Sequence, residues 1–378
     1  MPTSLRRAHR GALLLFALTG LISASWAARI PAVQDRLGLG AAELALVVVA
    51  IEGGAIAGLA AGAALTGRAG SRACLRGGFT AYALGLAAIA VAPALGALVP
   101  AVALWAAANS VVDVALNVQG VELERRTGRS LMSRLHAGHS LGLIGGAVLA
   151  VGAAGLEVPL PAHLAVVAVA ACLAGWAATG GLVGEPRGAA GPVLARPDRG
   201  VLLIGSVAFC AFGMDGAAAN WSAVHLRTDH HAGAALAAAG YGIFAAAVFA
   251  GRLGGDRLLA RHGRVRVVAG AGALAAVAVL VLVTAPAAPV ALAGWLLVGV
   301  AVAPLAPALL SAAPHVSALP TATAVAGATS IGYLGSFAVP PLVGLIAAGT
   351  SVSAGLLLLA PLALATVALA GPALRRAR

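Results

Sequence analysis

The sequence has no lysine and few charged residues of either sign, and both shortages restrict what the protein can be. Charged residues make up 10% of the 378 positions, whereas ordinary soluble domains carry about 25%. The hydrophobic fraction is 61% before the 50 glycines are counted, and a soluble globule of this length cannot bury so much apolar surface. The composition therefore excludes a soluble protein and indicates a chain embedded in a lipid bilayer.

Cysteine is also scarce, and several catalytic motifs are missing. Cys74, Cys172 and Cys210 lie far apart and two of them lie inside apolar runs, so we predict neither a disulfide framework nor a metal site. The sequence has no phosphate-binding glycine loop with its lysine, no HExxH motif and no nucleophile elbow. We therefore predict no cofactor, no ATP hydrolysis by this chain and no enzyme activity.

All 24 basic residues are arginines, and their positions follow a pattern. Most of them lie before the first apolar run, after the last, or in every second gap between runs, and only Arg29, Arg36 and Arg227 lie on the other side. Under the positive-inside rule this alternation places both termini in the cytoplasm. The net charge of +12 forms no basic face interleaved with aromatic residues, so we predict no nucleic-acid partner. We interpret the apolar N-terminus as an uncleaved first membrane helix.

Twelve apolar runs are long enough to cross about 30 Å of hydrocarbon as helices. They lie near residues 11–29, 44–65, 77–95, 98–121, 135–156, 160–183, 201–223, 234–254, 266–284, 289–311, 322–347 and 352–373. A polar gap at 184–199 divides them into two groups of six. We therefore predict an all-α membrane protein with one six-helix bundle at 1–183, a short cytoplasmic linker, and a second bundle at 200–378.

The two halves resemble each other in sequence. Arg68-Ala69-Gly70 matches Arg261-His262-Gly263 at an offset of 193, and the pattern Ser-x-Gly-x-x-Gly recurs at 140–145 and 330–335 at an offset of 190. Two matches at nearly the same offset favour an internal duplication. Six-plus-six duplication is a common plan of secondary transporters.

Four segments carry a resemblance to a known family. Residues 26–31, 109–140, 215–227 and 251–263 read WAARIP, NSVVDVALNVQGVELERRTGRSLMSRLHAGHS, DGAAANWSAVHLR and GRLGGDRLLARHG. Over almost its whole length the chain resembles the major facilitator superfamily, and in particular a bacterial inner-membrane branch near the fucose permeases. The resemblance implies a secondary transporter that works by alternating access.

The sequence also departs from the family pattern. The signature after the second helix has lost its acid at 67–72, the fifth helix lacks the proline that is typical of drug–proton antiporters, and Asp215 stands where the branch has glutamate. The missing proline counts against drug efflux, and the missing acid weakens the gating contact expected in the first half.

Three polar residues on the fourth predicted helix are the main site candidates. Asn109, Asp113 and Asn117 are four residues apart, so they share one helix face. A carboxylate at membrane depth costs on the order of 2.5–3.5 kcal/mol on insertion scales, which makes Asp113 a functional candidate. We predict a stripe that lines the transport path, with Asp113 binding a proton or a solute hydroxyl. The alternative is structural bonding between helices.

Other candidates come from the first, second and seventh predicted helices. Glu52 could be a second proton site, a partner of Arg29 or a hydrogen-bonded structural glutamate. The resemblance places the first and seventh helices at the cavity, and therefore near the solute or its outer gate. The candidates there are Trp26, Arg29, Asp215, Asn220 and Trp221. Each tryptophan could instead belong to an interfacial aromatic belt.

A cytoplasmic gate is the last predicted site. Its candidates are Glu122, Glu124, Arg125, Arg126, His136, Asp256 and Arg257. The resemblance implies that the acids pair with arginines across the bundle, whereas charges in a loop are more often simply solvated.

The leading functional hypothesis is proton-coupled import of a small polar solute such as a sugar, driven by the proton gradient, by a monomer in the bacterial cytoplasmic membrane. The alternative is an exporter, in which the same fold runs as a solute–proton antiporter. An intramembrane enzyme or sensor is disfavoured, because the chain shows neither a reactive cluster nor an appended soluble domain.

Overall fold

The computed structural model describes residues 2–128, 131–184, 196–319 and 321–375, except for the side chains of Ala63, Ser133, Asp256, Ala326 and residues 321–323. Within these ranges the chain forms fifteen helices and no strand. In chain order they are α1 Thr3–Ala27, α2 Ile30–Leu37, α3 Ala41–Ala69, α4 Ser71–Val91, α5 Leu95–Thr127, α6 Met132–Gly155, α7 Leu160–Thr179, α8 Arg199–Thr228, α9 Ala234–His262, α10 Arg264–Val283, α11 Ala288–Val302, α12 Leu305–Val316, α13 Thr321–Gly349, α14 Val352–Leu356 and α15 Leu359–Leu374.

Twelve helical segments of the described chain are long and apolar enough to cross a membrane, which confirms the predicted number of spans. Several helices run beyond the predicted apolar run. α5 continues six residues past the predicted end at 121, through a charged segment that its own ion pairs stabilise. It ends where Gly128 adopts a φ of 63°, a left-handed conformation that glycine adopts at helix ends without strain.

Two of the predicted helices are interrupted. The run at 289–311 is divided into α11 and α12, with the break at Pro304. The run at 352–373 is divided into α14 and α15 by a tight turn at Leu357 and Leu358. This turn comes just before Pro361, whose missing N–H and rigid ring disfavour a continuous helix through the preceding turn.

The structure has two compact units. Unit 1 comprises residues 1–39 and 46–191, and unit 2 comprises residues 40–45 and 192–378. Residues 185–195 of the predicted linker lie outside the described part of the chain, so the linker at 184–199 stays a prediction.

In unit 1, α1 packs along α6 with backbones in direct contact, and α4 packs against α5 and α7. A Cβ atom added at Gly142 of α6 would lie 1.9 Å from the Ala17 carbonyl oxygen, and one at Gly20 of α1 would lie 2.1 Å from the His139 carbonyl oxygen. Both distances are impossible for a real side chain. The glycines therefore set the close approach of these two helices, as small residues do at helix contacts in membranes.

In unit 2, α8 is central and packs against α9, α11, α12, α13 and α15. Its closest contact is with α13, where a Cβ atom at Gly335 would lie 2.0 Å from the Phe209 carbonyl oxygen. The contact of α8 with α13 therefore resembles that of α1 with α6, because in both units a glycine of the second helix lies against a backbone carbonyl of the first.

Asp198 fixes the start of α8. Its Oδ1 accepts a hydrogen bond from the backbone N–H of Val201 at 2.9 Å, and its Oδ2 accepts from the Ser317 hydroxyl and the Ala318 N–H, each at 2.8 Å. The bond from Val201 is the main cause that lowers the pKa of Asp198, and the bonds from Ser317 and Ala318 lower it further. The residue joins the start of α8 to the end of α12.

Asp198→Ala should destabilise the protein by about 1–2 kcal/mol, because the substitution removes a helix cap. Asp198→Asn keeps an acceptor for Val201 and loses only the bonds to Oδ2, so it should lose less. The measurement is thermal unfolding of the purified chain in detergent. Equal losses in the two variants would contradict the capping role.

Candidate functional site

The polar stripe predicted on the fourth span lies on α5 in unit 1. Asn109, Asp113 and Asn117 are all partly buried. The Asn117 amide donates a hydrogen bond to the backbone carbonyl of Asp113 at 2.9 Å and also reaches the Asp113 carboxylate. The three side chains therefore form a partly accessible polar face on a helix whose intervening residues, such as Val112 and Leu116, are buried.

His136 of α6 lies within electrostatic reach of the Asp113 carboxylate. The ring of Phe16 on α1 packs edge-on against the His136 ring at a centroid distance of 5.1 Å. One turn further along α6, Nδ1 of His139 is hydrogen-bonded to the Thr19 hydroxyl at 3.0 Å. A carboxylate and an imidazole thus lie within electrostatic reach of each other where α1, α5 and α6 meet, so the charge of one affects proton binding by the other.

Glu52 on α3 is partly buried and makes no hydrogen bond or ion pair with any described residue. The next turn of its helix touches α5, since a Cβ atom at Gly54 would lie 2.1 Å from the Ala103 carbonyl oxygen. Neither the pairing with Arg29 nor the structural hydrogen bond occurs in the described structure. The second proton site stays a prediction for Glu52.

Asp215 of α8 is the main acidic candidate in unit 2. Its side chain is exposed, although Met214, Gly216 and Ala217 beside it are buried. Its charge interacts with Arg252 and with the phenol of Tyr241, both on α9. One turn further, the Asn220 amide donates to the Gly216 carbonyl at 2.9 Å. The carboxylate therefore lies on a narrow accessible stripe of an otherwise enclosed helix.

The two candidate tryptophans are buried, which corrects both roles predicted for them. Trp221 is 1% exposed and its indole N–H donates to the Pro340 carbonyl at 2.9 Å. Trp26 is 4% exposed and packs against Trp105 at a centroid distance of 6.0 Å. Neither a stacking surface for a solute nor a belt at the membrane interface is compatible with rings so enclosed. Both rings instead pack inside their own units.

The predicted gate acids Glu122 and Glu124 accept hydrogen bonds from residues that are three to eight positions away in the sequence. Glu122 is buried and accepts hydrogen bonds from Arg125 at 2.7 and 2.8 Å and from Nε of Arg126 at 2.6 Å. Glu124 accepts from the N–H groups of Leu131 and Met132, at the start of α6. Glu122 therefore pairs with arginines of its own helix, which corrects the expected pairing across the bundle.

The second half of the predicted gate lies on α9. Arg257 is exposed, and the side chain of Asp256 lies outside the described residues. The gate in this half therefore stays a prediction.

A hydrogen-bonded chain of four side chains in unit 2 was not predicted. The Trp295 indole donates to Nδ1 of His225 at 3.3 Å, Nε2 of His225 contacts the Ser353 hydroxyl at 3.0 Å, and that hydroxyl donates to Oδ2 of Asp229 at 2.7 Å. Because an indole N–H can only donate, His225 accepts at Nδ1 and carries its proton on Nε2. The chain therefore has one direction, from Trp295 to Asp229.

This network joins the end of α8 to α11 and to the start of α14. The one sequence signal for it is the helix-start pattern Ser351-x-Ser353, which follows a glycine and a threonine. Within the described ranges, no three His, Cys, Asp or Glu side chains converge as metal ligands, and the three cysteines are free.

In the described chain, twelve helical segments that are long and apolar enough to cross a membrane form two compact units, with acids and amides on accessible faces. This combination is typical of a polytopic membrane transporter. No family model matches the sequence. An uncharacterized MFS-type transporter of Yersinia pestis is 35% identical over 90% of this chain and 89% of its own length. An uncharacterized transporter of Sinorhizobium fredii is 29% identical over 87% of this chain and 89% of its own length. The chain belongs to the major facilitator superfamily.

Solved structures agree with this fold. A D-xylose–proton symporter matches with a TM-score of 0.78 over 100% of this chain and 99% of its own, at 13% identity. The nucleoside transporter NupG matches with a TM-score of 0.76 over 96% of this chain and 99% of its own, at 14% identity. The protein is a transporter of a small solute and not an enzyme. The predicted branch near the fucose permeases is not shown, because the names of the two relatives give no substrate.

Proposed function

We propose that this transporter imports a small polar solute of the sugar class together with a proton, as a monomer with both termini in the cytoplasm. The observation that carries the proposal is the Asp113 carboxylate within electrostatic reach of His136, on a helix face that also presents Asn109 and Asn117. Amides and a carboxylate both donate and accept hydrogen bonds when the acid is protonated. They are suited to the hydroxyl groups of an uncharged solute.

Proton coupling follows from the cost of an isolated charge in a low-dielectric interior. With a proton bound, Asp113 is neutral, and the protein can change between its outward-open and inward-open conformations while the solute is bound. With the proton released, the charge disfavours that transition unless His136 is protonated. The pair therefore links solute movement to proton movement, as alternating access requires.

Unit 2 supplies a second set of polar groups in this proposal. Asp215 and Asn220 lie on accessible positions of α8, and Arg252 offsets the Asp215 charge. We assign proton transfer to Asp113, which has an imidazole within electrostatic reach, and binding of the solute hydroxyls to the polar groups of both faces.

Asp113→Asn should abolish accumulation driven by a pH gradient while leaving solute exchange intact. For one proton per solute, a gradient of one pH unit is worth about 1.36 kcal/mol, which supports at most about tenfold accumulation. A thermal-shift screen first selects a monosaccharide that binds the protein. Proteoliposomes that contain the wild type should then accumulate this labelled monosaccharide to nearly the tenfold limit. The variant cannot release a proton at this site, and it should only equilibrate the solute.

Exchange of labelled against unlabelled solute needs no net proton release, so it reports whether the variant is folded. Glu157→Gln is the matched control, because it neutralises an exposed acid in the turn between α6 and α7 and should accumulate solute as the wild type does. Gradient-driven accumulation by Asp113→Asn would refute the assignment. Reversing the pH gradient distinguishes the two coupling modes: a symporter accumulates solute on the side to which protons flow, and an antiporter accumulates it on the opposite side.

A further inference from the structure

Arg29, between α1 and α2, is a buried arginine with too few partners. It is 6% exposed, and its one hydrogen bond runs from Nη2 to the Val158 carbonyl oxygen at 3.0 Å. Its Nε and Nη1 atoms are buried without a partner. Because a guanidinium stays charged in proteins, the site holds a full positive charge and unsatisfied N–H donors.

His163, in the first turns of α7, lies within electrostatic reach of Arg29. It is 7% exposed, and neither of its ring nitrogens has a hydrogen-bond partner. One of the two carries a proton in the neutral ring, which adds another buried donor. The start of a twenty-residue helix also contributes positive potential.

The described part of the chain places no carboxylate in contact with this cluster. No described carboxylate lies within 4.0 Å of a nitrogen of Arg29, and Glu157 next to its carbonyl partner is exposed. Burying an ion without a partner is strongly unfavourable. A group of opposite charge at this place would remove the imbalance.

We propose that Arg29 and His163 form a binding site for a small monovalent anion, either a halide or a short carboxylate. The low exposure of both side chains restricts the ligand to a small one, and Nε and Nη1 of Arg29 and one ring nitrogen of His163 are donors without an acceptor. The site belongs to unit 1 alone. It goes beyond the transport of an uncharged solute, because it uses neither the Asp113 face nor the Asp215 stripe, and it replaces the place near the solute that the sequence suggested for Arg29.

Arg36 of α2 provides a matched contrast. Its guanidinium donates to the carbonyl oxygens at the end of α4, to Ile89 at 3.2 Å, to Ala92 at 3.1 Å and to Ala90. These carbonyls lack helical partners, so Arg36 closes α4 and needs no external acceptor. Arg36 therefore has its hydrogen-bond acceptors within the protein, whereas Arg29, seven positions earlier, has donors without an acceptor.

The test is the melting temperature of the purified full chain in detergent, at constant ionic strength, in a buffer whose only anion is too large to enter. Titration with chloride, bromide, formate or acetate should give a saturable rise on the order of 2–4 °C. In Arg29→Gln the rise should be absent. Arg36→Gln should lower the starting temperature and retain the full rise.

Arg29→Lys keeps the charge and should retain the rise with weaker apparent affinity, which guards against a misfolded Gln variant. The titrations with halides and with carboxylates show which kind of anion the site binds. A saturable rise in melting temperature with either kind supports the site. Bromide diffraction should place anomalous density beside Arg29. A wild-type melting temperature that is independent of the anion, or an equal rise in Arg29→Gln, would overturn the proposal and leave water as the partner.

Discussion

Gly142→Val should leave little folded protein, because the new side chain has no space. A Cβ atom at this position of α6 would lie 1.9 Å from the Ala17 carbonyl oxygen and 2.7 Å from its carbonyl carbon. The obstacle is backbone, so no rotamer change can remove it, and α1 and α6 must move apart. Overpacking against side chains alone costs about 1–3 kcal/mol, so we expect a larger loss here even for Gly142→Ala.

Gly145 on the same helix is the matched control, since a Cβ atom there would meet nothing within 4 Å. Alanine is favoured over glycine in a helix by about 1 kcal/mol, so Gly145→Ala should be neutral or stabilising. The measurement is the yield of monodisperse protein and its melting temperature in one detergent. Similar behaviour of the Gly142 and Gly145 variants would mean that α1 and α6 do not pack as described.

These two glycines also show where the sequence stops being informative about the fold. Apolar run length and helix geometry predict twelve spans, and the structure has them. The same motif contains Gly142 and Gly145, but only the rotation of α6 against α1 decides which of them meets backbone. That rotation depends on packing between distant segments, which a local sequence pattern does not specify.

The candidate site likewise has features that the sequence predicts and contacts that it does not predict. Four-residue spacing places Asn109, Asp113 and Asn117 on one face, and this follows from local geometry. Pairings between distant segments do not follow from it. Arg29 donates to Val158 and not to Glu52, and Trp221 is enclosed by a helix that begins a hundred residues later. The resemblance to a family could not supply these contacts, because it gives positions of motifs and not partners of side chains.

Asp229→Asn should destabilise the protein by about 1.5–3 kcal/mol at neutral pH, the usual range for hydrogen bonds to a charged group. In the native chain, Oδ2 accepts from the backbone N–H and the hydroxyl of Ser353, both at 2.7 Å. The NH₂ group of asparagine can replace one oxygen but accepts no hydrogen bond. If the NH₂ group takes the Oδ2 position, both donors from Ser353 lose their acceptor; if it takes the Oδ1 position, the Thr228 hydroxyl and the Val352 N–H lose theirs. In either orientation the remaining bonds run to a neutral acceptor, and the tie between α8 and α14 weakens.

The acid dependence of this loss follows from the pKa of Asp229. Burial raises that pKa, but the hydrogen bonds from the Ser353 side chain and backbone, the nearby His225 ring and the hydrogen bond from Thr228 bring it below its ordinary value. A carboxyl group with a lowered pKa stabilises the folded state above its unfolded pKa of about 3.9 and loses this contribution as the pH falls through its folded pKa. The difference in melting temperature between wild type and Asp229→Asn should therefore be constant from pH 7 to about pH 5 and shrink below about pH 4.

Ser351→Ala is the control for this pH profile. Ser351 caps α14 by accepting from the Ala354 N–H at 3.1 Å, and it has no titrating group, so the loss of about 1 kcal/mol should not change with pH. A deficit of Asp229→Asn that persists unchanged to pH 3.5 would show that the carboxylate charge does not hold α14 in place. The cause would then be the shape of the side chain, and the chain of hydrogen bonds from Trp295 would end at Ser353.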